Sequence, residues 1–410
     1  MRLPAFMSPL RDPVYRALWT ATLLCYFGAW MQSVAAAWLM ASIAPTVDFV
    51  AWVQAANSLA PLLFTVIAGA LVDRFDQRLM LVVAQAVVLS MSACFALLTH
   101  LALMTPWLVL ALTFLLDSGS ALRYPAYQTT VNRLLPRAEI PRALVLSSIG
   151  WNVARTLGPG LGGLVIAAFG VKAAFVLNAV FNLPIIAILI SWRRRAAAEA
   201  RTTSSANILR EIAGGFAHVR ETPVIRNTLL RCFVFALFAS ALWSLMAVVA
   251  KHALGGGPEV FGALLGAMGV GALFGAGLID WFRRNWELRH IFLLATITFI
   301  PGVAALAVIE APLVLLPILA VAGLGWMTAM STFSAVVQLA AARAFVGRAV
   351  SIYYFALFGG FALGSWVWGL VAEGAGVDIA LFVAAGGLAA SLLLYGRSSG
   401  LGRLPPPPAS

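Results

Sequence analysis

Long apolar runs alternate with short polar breaks along the whole chain. A run of about 20 mostly apolar residues is long enough to cross a bilayer as a helix. Such runs predict helices near 15–42, 47–72, 79–100, 106–126, 143–169 and 172–192. A second set follows near 226–251, 259–281, 289–309, 311–332, 348–372 and 377–396. Pro106, Gly170 and Pro312 mark short turns inside these sets, which suit antiparallel neighbours. The segment 193–225 breaks the pattern. There Ile208, Ile212, Phe216 and Val219 recur at helical spacing, with Arg210, Glu211 and Arg220 on other faces. A short amphipathic helix on the membrane surface is the expected result. The chain therefore divides into a bundle at 1–192, a linker at 193–225, a second bundle at 226–396 and a tail at 397–410. The tail ends in LPPPPAS and is expected to be disordered.

The two sets match at one fixed offset. Adding 206 carries Gly69, Ala70 and Arg78 onto Gly275, Ala276 and Arg284. The same 206 carries Arg137 and Arg142 onto Arg343 and Arg348. It also carries Gly158, Gly163, Leu164, Val165, Gly170 and Val171 onto Gly364, Gly369, Leu370, Val371, Gly376 and Val377. Six helices separate the copies, an even number, so the repeat is parallel. The fold class expected is an all-α membrane protein of twelve transmembrane helices in two parallel six-helix repeats.

Composition agrees with a lipid environment. Of 410 residues, 62% are apolar and 10% charged, with a mean hydropathy of +0.95. Soluble domains carry about 25% charged residues. The net charge of +12 is spread thinly and forms no dense basic face, so nucleic acid is not an expected partner. It reads as topology instead. Cationic residues collect on cytoplasmic loops. With the N-terminus inside, those loops and termini hold Arg11, Arg16, Arg74, Arg78, Arg137, Arg142, Arg193, Arg194, Arg195, Arg283, Arg284, Arg289, Arg343, Arg348 and Arg397. The opposite loops hold only Lys172 and Lys251. A bacterial inner membrane with both termini cytoplasmic is the expected setting. The short basic start MRLPAFMSPLR leads into a run too long for a signal-peptide core, so no cleaved leader is expected.

Several chemistries are excluded by what is missing. Neither lysine lies in a GxxxxGK[ST] loop, which excludes an ATP-driven pump within this chain. Cys25, Cys94 and Cys232 sit singly in apolar runs, and His100, His218, His252 and His290 are scattered. No metal or disulfide spacing results. No catalytic cluster stands out, so neither an enzyme nor a cofactor is expected.

Two ionisable residues fall deep inside predicted spans. Asp117 is 11 residues past Pro106, about 16 Å into a core about 30 Å thick. Arg155 enters from the other side, 12 residues past Ala143 and about 18 Å deep. Intramembrane charges are costly and mark functional sites. On consecutive helices, the two are expected to meet near the midplane. Asp117 is the candidate proton-sensitive acid and Arg155 its partner or a substrate anchor; a static structural pair is the alternative. Tyr26, Gln32, Gln54 and Asn57 in the first half, with Trp243, Trp326, Tyr353 and Tyr354 in the second, are candidate lining for a cavity that takes a large, partly apolar ligand.

Two motifs carry a resemblance. The loop after the second predicted helix reads Gly69-Ala-Leu-Val-Asp73-Arg74-Phe75-Asp76-Gln77-Arg78. It resembles the signature loop GxxxDRxGRR of the major facilitator superfamily, departing at Asp76 and Gln77. Gly69 permits close helix approach, and Asp73 lies within reach of Arg74 and Arg78, a charge cluster able to latch two halves. A charged turn that merely fixes topology has the same composition. The fifth helix carries Ala154-Arg155-Thr-Leu-Gly158-Pro159-Gly160-Leu161-Gly162-Gly163. It resembles the exporters' antiporter motif GxxxGPxxGG, with Ala154 in the first Gly position. A packing kink at Pro159 is the plainer alternative.

Further stretches, Asp12-Pro-Val-Tyr-Arg16, Gly28 to Trp38, and Gly347 to Gly364, resemble the enterobactin-exporter-like branch of the superfamily. That resemblance implies proton-driven export of a siderophore, drug or similar amphipathic molecule, by a monomer whose halves each supply one wall of the site. Its partners are then the small molecule, protons and the bilayer. A facilitator or importer on the same fold, or a non-transporting receptor or scaffold, are the competing readings.

Overall fold

The computed structural model describes residues 5–74, 77–191, 217, 219–342 and 345–396. A 3-10 turn over Ala5–Arg11 leads into α1 (Pro13–Ile43), α2 (Val47–Arg74), α3 (Gln77–His100), α4 (Pro106–Leu134), α5 (Ile140–Phe169) and α6 (Val171–Ser191). After the linker come α7 (Pro223–Val248), α8 (Pro258–Asn285), α9 (Leu288–Val308), α10 (Pro312–Ala340), α11 (Val346–Ala375) and α12 (Val377–Ser391). A π turn at Val249–Ala253 extends α7. The described residues contain no strand.

Local chemistry places the ends. Asp12 caps α1 by accepting the Tyr15 amide at 2.8 Å, and Pro13 fills the first turn. Proline also opens α4, α7, α8 and α10. Gly170 and Gly376 close α5 and α11 at φ 80° and 109°, backbone angles that favour glycine.

Each of the twelve expected apolar runs falls on a helix, and the repeat is visible in the boundaries. The offset of 206 carries the ends of α5 onto those of α11, and Pro106 and Val171 onto Pro312 and Val377. From Val47 to Pro258 the spacing is five residues longer, so the register drifts at α2 and α8. α4 and α10 run on to Leu134 and Ala340, past the expected ends at 126 and 332. The reason is that hydropathy stops at polar residues such as Gln128 and Gln338, while the hydrogen-bonded helix continues into the interface.

Among the described residues, nine helices are long and apolar enough to cross a membrane, and Val377–Ser391 is a shorter apolar helix. α4 and α5 are not among them; they carry Asp117, Arg123 and Arg155 in their interiors.

Within the first six helices, α1 packs on α5 and α6, α3 on α4 and α6, and α2 on α4. Within the last six, α10 packs on α8 and α9, and α7 on α11 and α12. A polar chain ties α3, α6 and α1. Gln85 donates to Asn182 at 2.8 Å, Asn182 to Asn178 at 3.1 Å, and Asn178 to Ser92 at 2.8 Å and Gln32 at 3.3 Å. In lipid such bonds add to packing where no hydrophobic effect separates helix from solvent.

The first and last sets meet through α5 against α8 and α2 against α11. Both contacts use small residues in equivalent places. A Cβ on Gly163 would sit 2.5 Å from the Pro258 carbonyl oxygen and 3.0 Å from the Gly262 Cα. A Cβ on Gly369 would sit 3.1 Å from the Asp48 carbonyl oxygen and 2.9 Å from the Ala51 Cβ. Backbones therefore approach as closely as glycine alone permits.

The expected amphipathic helix lies outside the described residues, apart from its last turn, where Val219 is buried. The tail at 397–410 lies outside them too.

Candidate functional site

The contacts between the two sets gather at one end of the molecule. Lys251 Nζ donates to the Ala41 carbonyl at 2.6 Å, and the Val47 amide donates to Glu373 Oε2 at 2.8 Å. Gly163 meets Pro258 there, and Gly369 meets Asp48. Deeper in, the Thr156 hydroxyl donates to the Gly269 carbonyl at 3.1 Å. At the opposite end α4 and α10 share no extensive contact among the described residues. The two sets are thus closed together at the end that carries the α1–α2 and α11–α12 turns.

Arg155 stands just beside Thr156, on the part of α5 that reaches α8 at Gly269. Successive positions of α5 point different ways. Gly158 meets Trp30 and Gly162 meets Met31 on α1, while Thr156 and Gly163 meet α8. Arg155 falls between these faces. It lines a small cavity with Trp30, Pro159, Trp243, Leu265, Met268 and Gly269, with room for about one water molecule. Both sets of helices supply its walls.

Aromatic rings extend from the cavity in both directions. Trp151 lies 5.9 Å from Trp30 and 5.0 Å from Tyr26, the latter edge-on. The Arg123 guanidinium sits 5.8 Å from the Tyr26 ring centroid, within cation–π range. On the other side Trp243 meets Trp326 at 5.7 Å, and Trp326 packs among Phe235, Phe299 and Phe361.

The expected site residues fall into separate groups. Trp243 faces the Arg155 cavity, and Tyr26 is one ring removed from it. Trp326 and Tyr353 are buried in the core of the last six helices, where the Tyr353 hydroxyl donates to the Met330 carbonyl at 3.3 Å. Tyr354 is half-buried and stacks on Phe358. Gln54 and Asn57 are half-buried on α2. Gln32 is 4% exposed and is engaged by Asn178, so it belongs to the α1–α6 contact. Gly158, Pro159, Gly162 and Gly163 are all buried or in close contact, at the α1 and α8 faces of α5. For Gly69, Asp73, Arg74 and Arg78, the backbone places them around the α2–α3 turn, and their side chains lie outside the described residues.

One expectation is corrected. Asp117 and Arg155 do not meet; no ion pair joins them among the described residues. α4 packs on α2 and α3, whereas α5 packs on α1 and α8, so helices consecutive in sequence are not neighbours along their length. The charge that acts on Asp117 is Arg123, on its own helix. Arg123 is 8% exposed and also lies near Cys25. Sequence reading passed over Arg123 and Trp30. The rule that singled out Asp117 applies equally to Arg123, six residues further along the same expected span.

A larger groove, about 390 Å³, runs beneath His100 and Lys172 on α3 and α6. Its lining comes from the first six helices alone, so it is separate from the contact between the two sets.

This is the architecture of a membrane transporter with a site between two repeated helix sets. Residues 5–401 match the family described as transmembrane secretion effector, and the chain belongs to that family. Among relatives, the multidrug efflux pump Tap of Mycolicibacterium fortuitum is 27% identical over 84% of both chains. The staphyloferrin A transporter of Staphylococcus aureus is 20% identical over 71% of this chain and 72% of its own. The MFS-type transporter YfiS of Bacillus subtilis (strain 168) is 26% identical over 52% of this chain, and the match spans 50% of that relative's length. Solved structures show the same fold. The nucleoside transporter NupG superposes with a TM-score of 0.76 at 12% identity, covering 93% of this chain and 99% of its own. A bacterial homologue of the lysosomal transporter Spinster, inward-facing and unoccupied, gives 0.73 at 13% identity, covering 95% and 96%. The protein is accordingly a multi-pass membrane transporter of small molecules.

Proposed function

We propose that the chain is a proton-coupled exporter of a siderophore, drug or similar amphipathic molecule, working by alternating access. The observation that carries this reading is the arrangement of Arg155 and its aromatic neighbours between two helix sets that, among the described residues, are closed together at the end of the α1–α2 and α11–α12 turns. Arginine distribution supports a cytoplasmic location for both termini and for the opposite end. On that topology the site opens toward the cytoplasm, the loading state of an exporter. The relatives named as efflux pumps and as a staphyloferrin A transporter support the direction and the substrate class.

The bundles at 1–192 and 226–396 are the bodies that rock, joined by 193–225, and a monomer suffices because each supplies one wall. Asp117 is the proton carrier, with Arg123 rather than Arg155 as the charge that senses it. Gly69, Asp73, Arg74 and Arg78 form the cytoplasmic latch. Gly158, Pro159, Gly162 and Gly163 let α5 close on α1 and α8. Tyr26, Trp243 and, at the margins, Gln54, Asn57 and Tyr354 contact the ligand.

The test compares small molecules in cells and medium of a deletion strain grown without iron. Complementation uses wild type and Asp117→Asn. The expected result is a siderophore or amphipathic metabolite retained by the deletion strain, released with wild type and retained with Asp117→Asn at normal expression. Unchanged secretion of every such molecule would overturn the reading.

A further inference from the structure

We propose that the cavity between Arg155, Trp30 and Trp243 seats an anionic group of the transported molecule, a carboxylate or similar oxyanion. This rests on the reading that a small molecule passes between the two helix sets. It adds a chemical class: the ligand carries a negative charge at one end of an apolar or aromatic body.

The strongly polar side chains in the cavity lining, those of Arg155, Trp30 and Trp243, carry donors only. A guanidinium has five N–H groups and no acceptor, and an indole has one N–H and no acceptor. The Nε1 atoms of Trp30 and Trp243 are both buried without a hydrogen-bond partner. Arg155 has no ion pair or hydrogen bond among the described residues. The Gly269 carbonyl, also in the lining, accepts from the Thr156 hydroxyl at 3.1 Å. Leu265, Met268 and Pro159 complete the wall. Buried donors lacking acceptors are uncommon in folded proteins and call for a partner.

An oxyanion answers all three donors and also neutralises the buried guanidinium. A cation meets repulsion from Arg155. A neutral apolar ligand leaves the donors unmet and the guanidinium unpaired in a medium of low dielectric. An oxyanion forms charge-assisted bonds with Arg155 and accepts from both indoles. Trp30 comes from the first helix set and Trp243 from the second, so the bound group ties the sets together. The cavity has room for about one water molecule in this closed contact. A carboxylate needs more, so its entry requires α5 and α8 to part slightly at Gly269 and Thr156.

The test is a titration of the purified full chain by tryptophan fluorescence. Benzoate is the probe, and benzamide is its uncharged counterpart. Saturable quenching by benzoate and none by benzamide is expected. Arg155→Gln is expected to weaken benzoate binding about tenfold or more, the size of one lost charge-assisted bond. Arg155→Lys keeps the charge but loses the fork and retains part of the affinity, which guards against a folding artefact. Trp243→Phe removes one N–H and gives a smaller loss. Equal binding of benzamide, or unchanged benzoate binding in folded Arg155→Gln, overturns the seat. Binding is read without flux, so the two proposals fail separately. Export without benzoate-selective quenching overturns the seat alone, and quenching without any export overturns the exporter alone.

Discussion

Arg123 is held in place by a ring. Its guanidinium lies over Tyr26, whose other edge meets Trp151. Removing the ring exposes the cation to an apolar setting, whereas removing the hydroxyl leaves the π face intact. Tyr26→Phe, which keeps the π face, should therefore be more stable in detergent than Tyr26→Leu. Tyr26→Leu should cost about 1–3 kcal/mol from the lost cation–π and aromatic contacts. Differential scanning fluorimetry reads both. Equal stability of the two variants would contradict the ring's role. At this scale the sequence was informative where a residue type was out of place. Asp117 and Arg155 were visible as charges in apolar runs. That they stand apart was not, because it depends on which helices touch, and hydropathy says nothing about that. Gln32 shows the same limit: its polarity suggested a cavity, and the structure spends it on Asn178.

The helices themselves were nearly all legible, since most are apolar runs long enough for lipid, bounded by proline, glycine or arginine. The offset of 206 gave the repeat, and it reappears in the paired ends of α5 and α11. What could not be read was the use of that symmetry. Gly163 and Gly369 are equivalent in the repeat, and each closes one contact between the sets, against Pro258 and Asp48 respectively. Gly163→Leu should force α5 and α8 apart at that end. Lys251, now bound to the Ala41 carbonyl, should then become reachable from outside. In a Lys172→Arg background Lys251 is the one lysine left, and a membrane-impermeant amine reagent reads its exposure. Labelling several-fold faster than in the Lys172→Arg parent is expected, together with loss of export. Unchanged labelling would mean that the glycine contact does not hold this end shut.

For the whole molecule, the proposed cycle makes one device of three features. Small residues let the two sets close at one end. An arginine and aromatic rings stand in a small cavity lined by both sets. An acid, Asp117, with Arg123 on the same helix, lies apart from that contact but within the same membrane-embedded body. The proposed cycle couples proton binding at Asp117 to release at Arg155 through movement of α4 and α5 as parts of one bundle, since the two side chains do not touch. The most direct test uses everted membrane vesicles energised to an acidic interior, with a fluorescent acridine dye reporting the gradient. The added compound is the metabolite retained by the deletion strain. Wild-type vesicles are predicted to lose part of the gradient as the compound enters, while Asp117→Asn vesicles keep it. Accumulation of the compound in wild-type vesicles with no change in the proton gradient would contradict proton-coupled export.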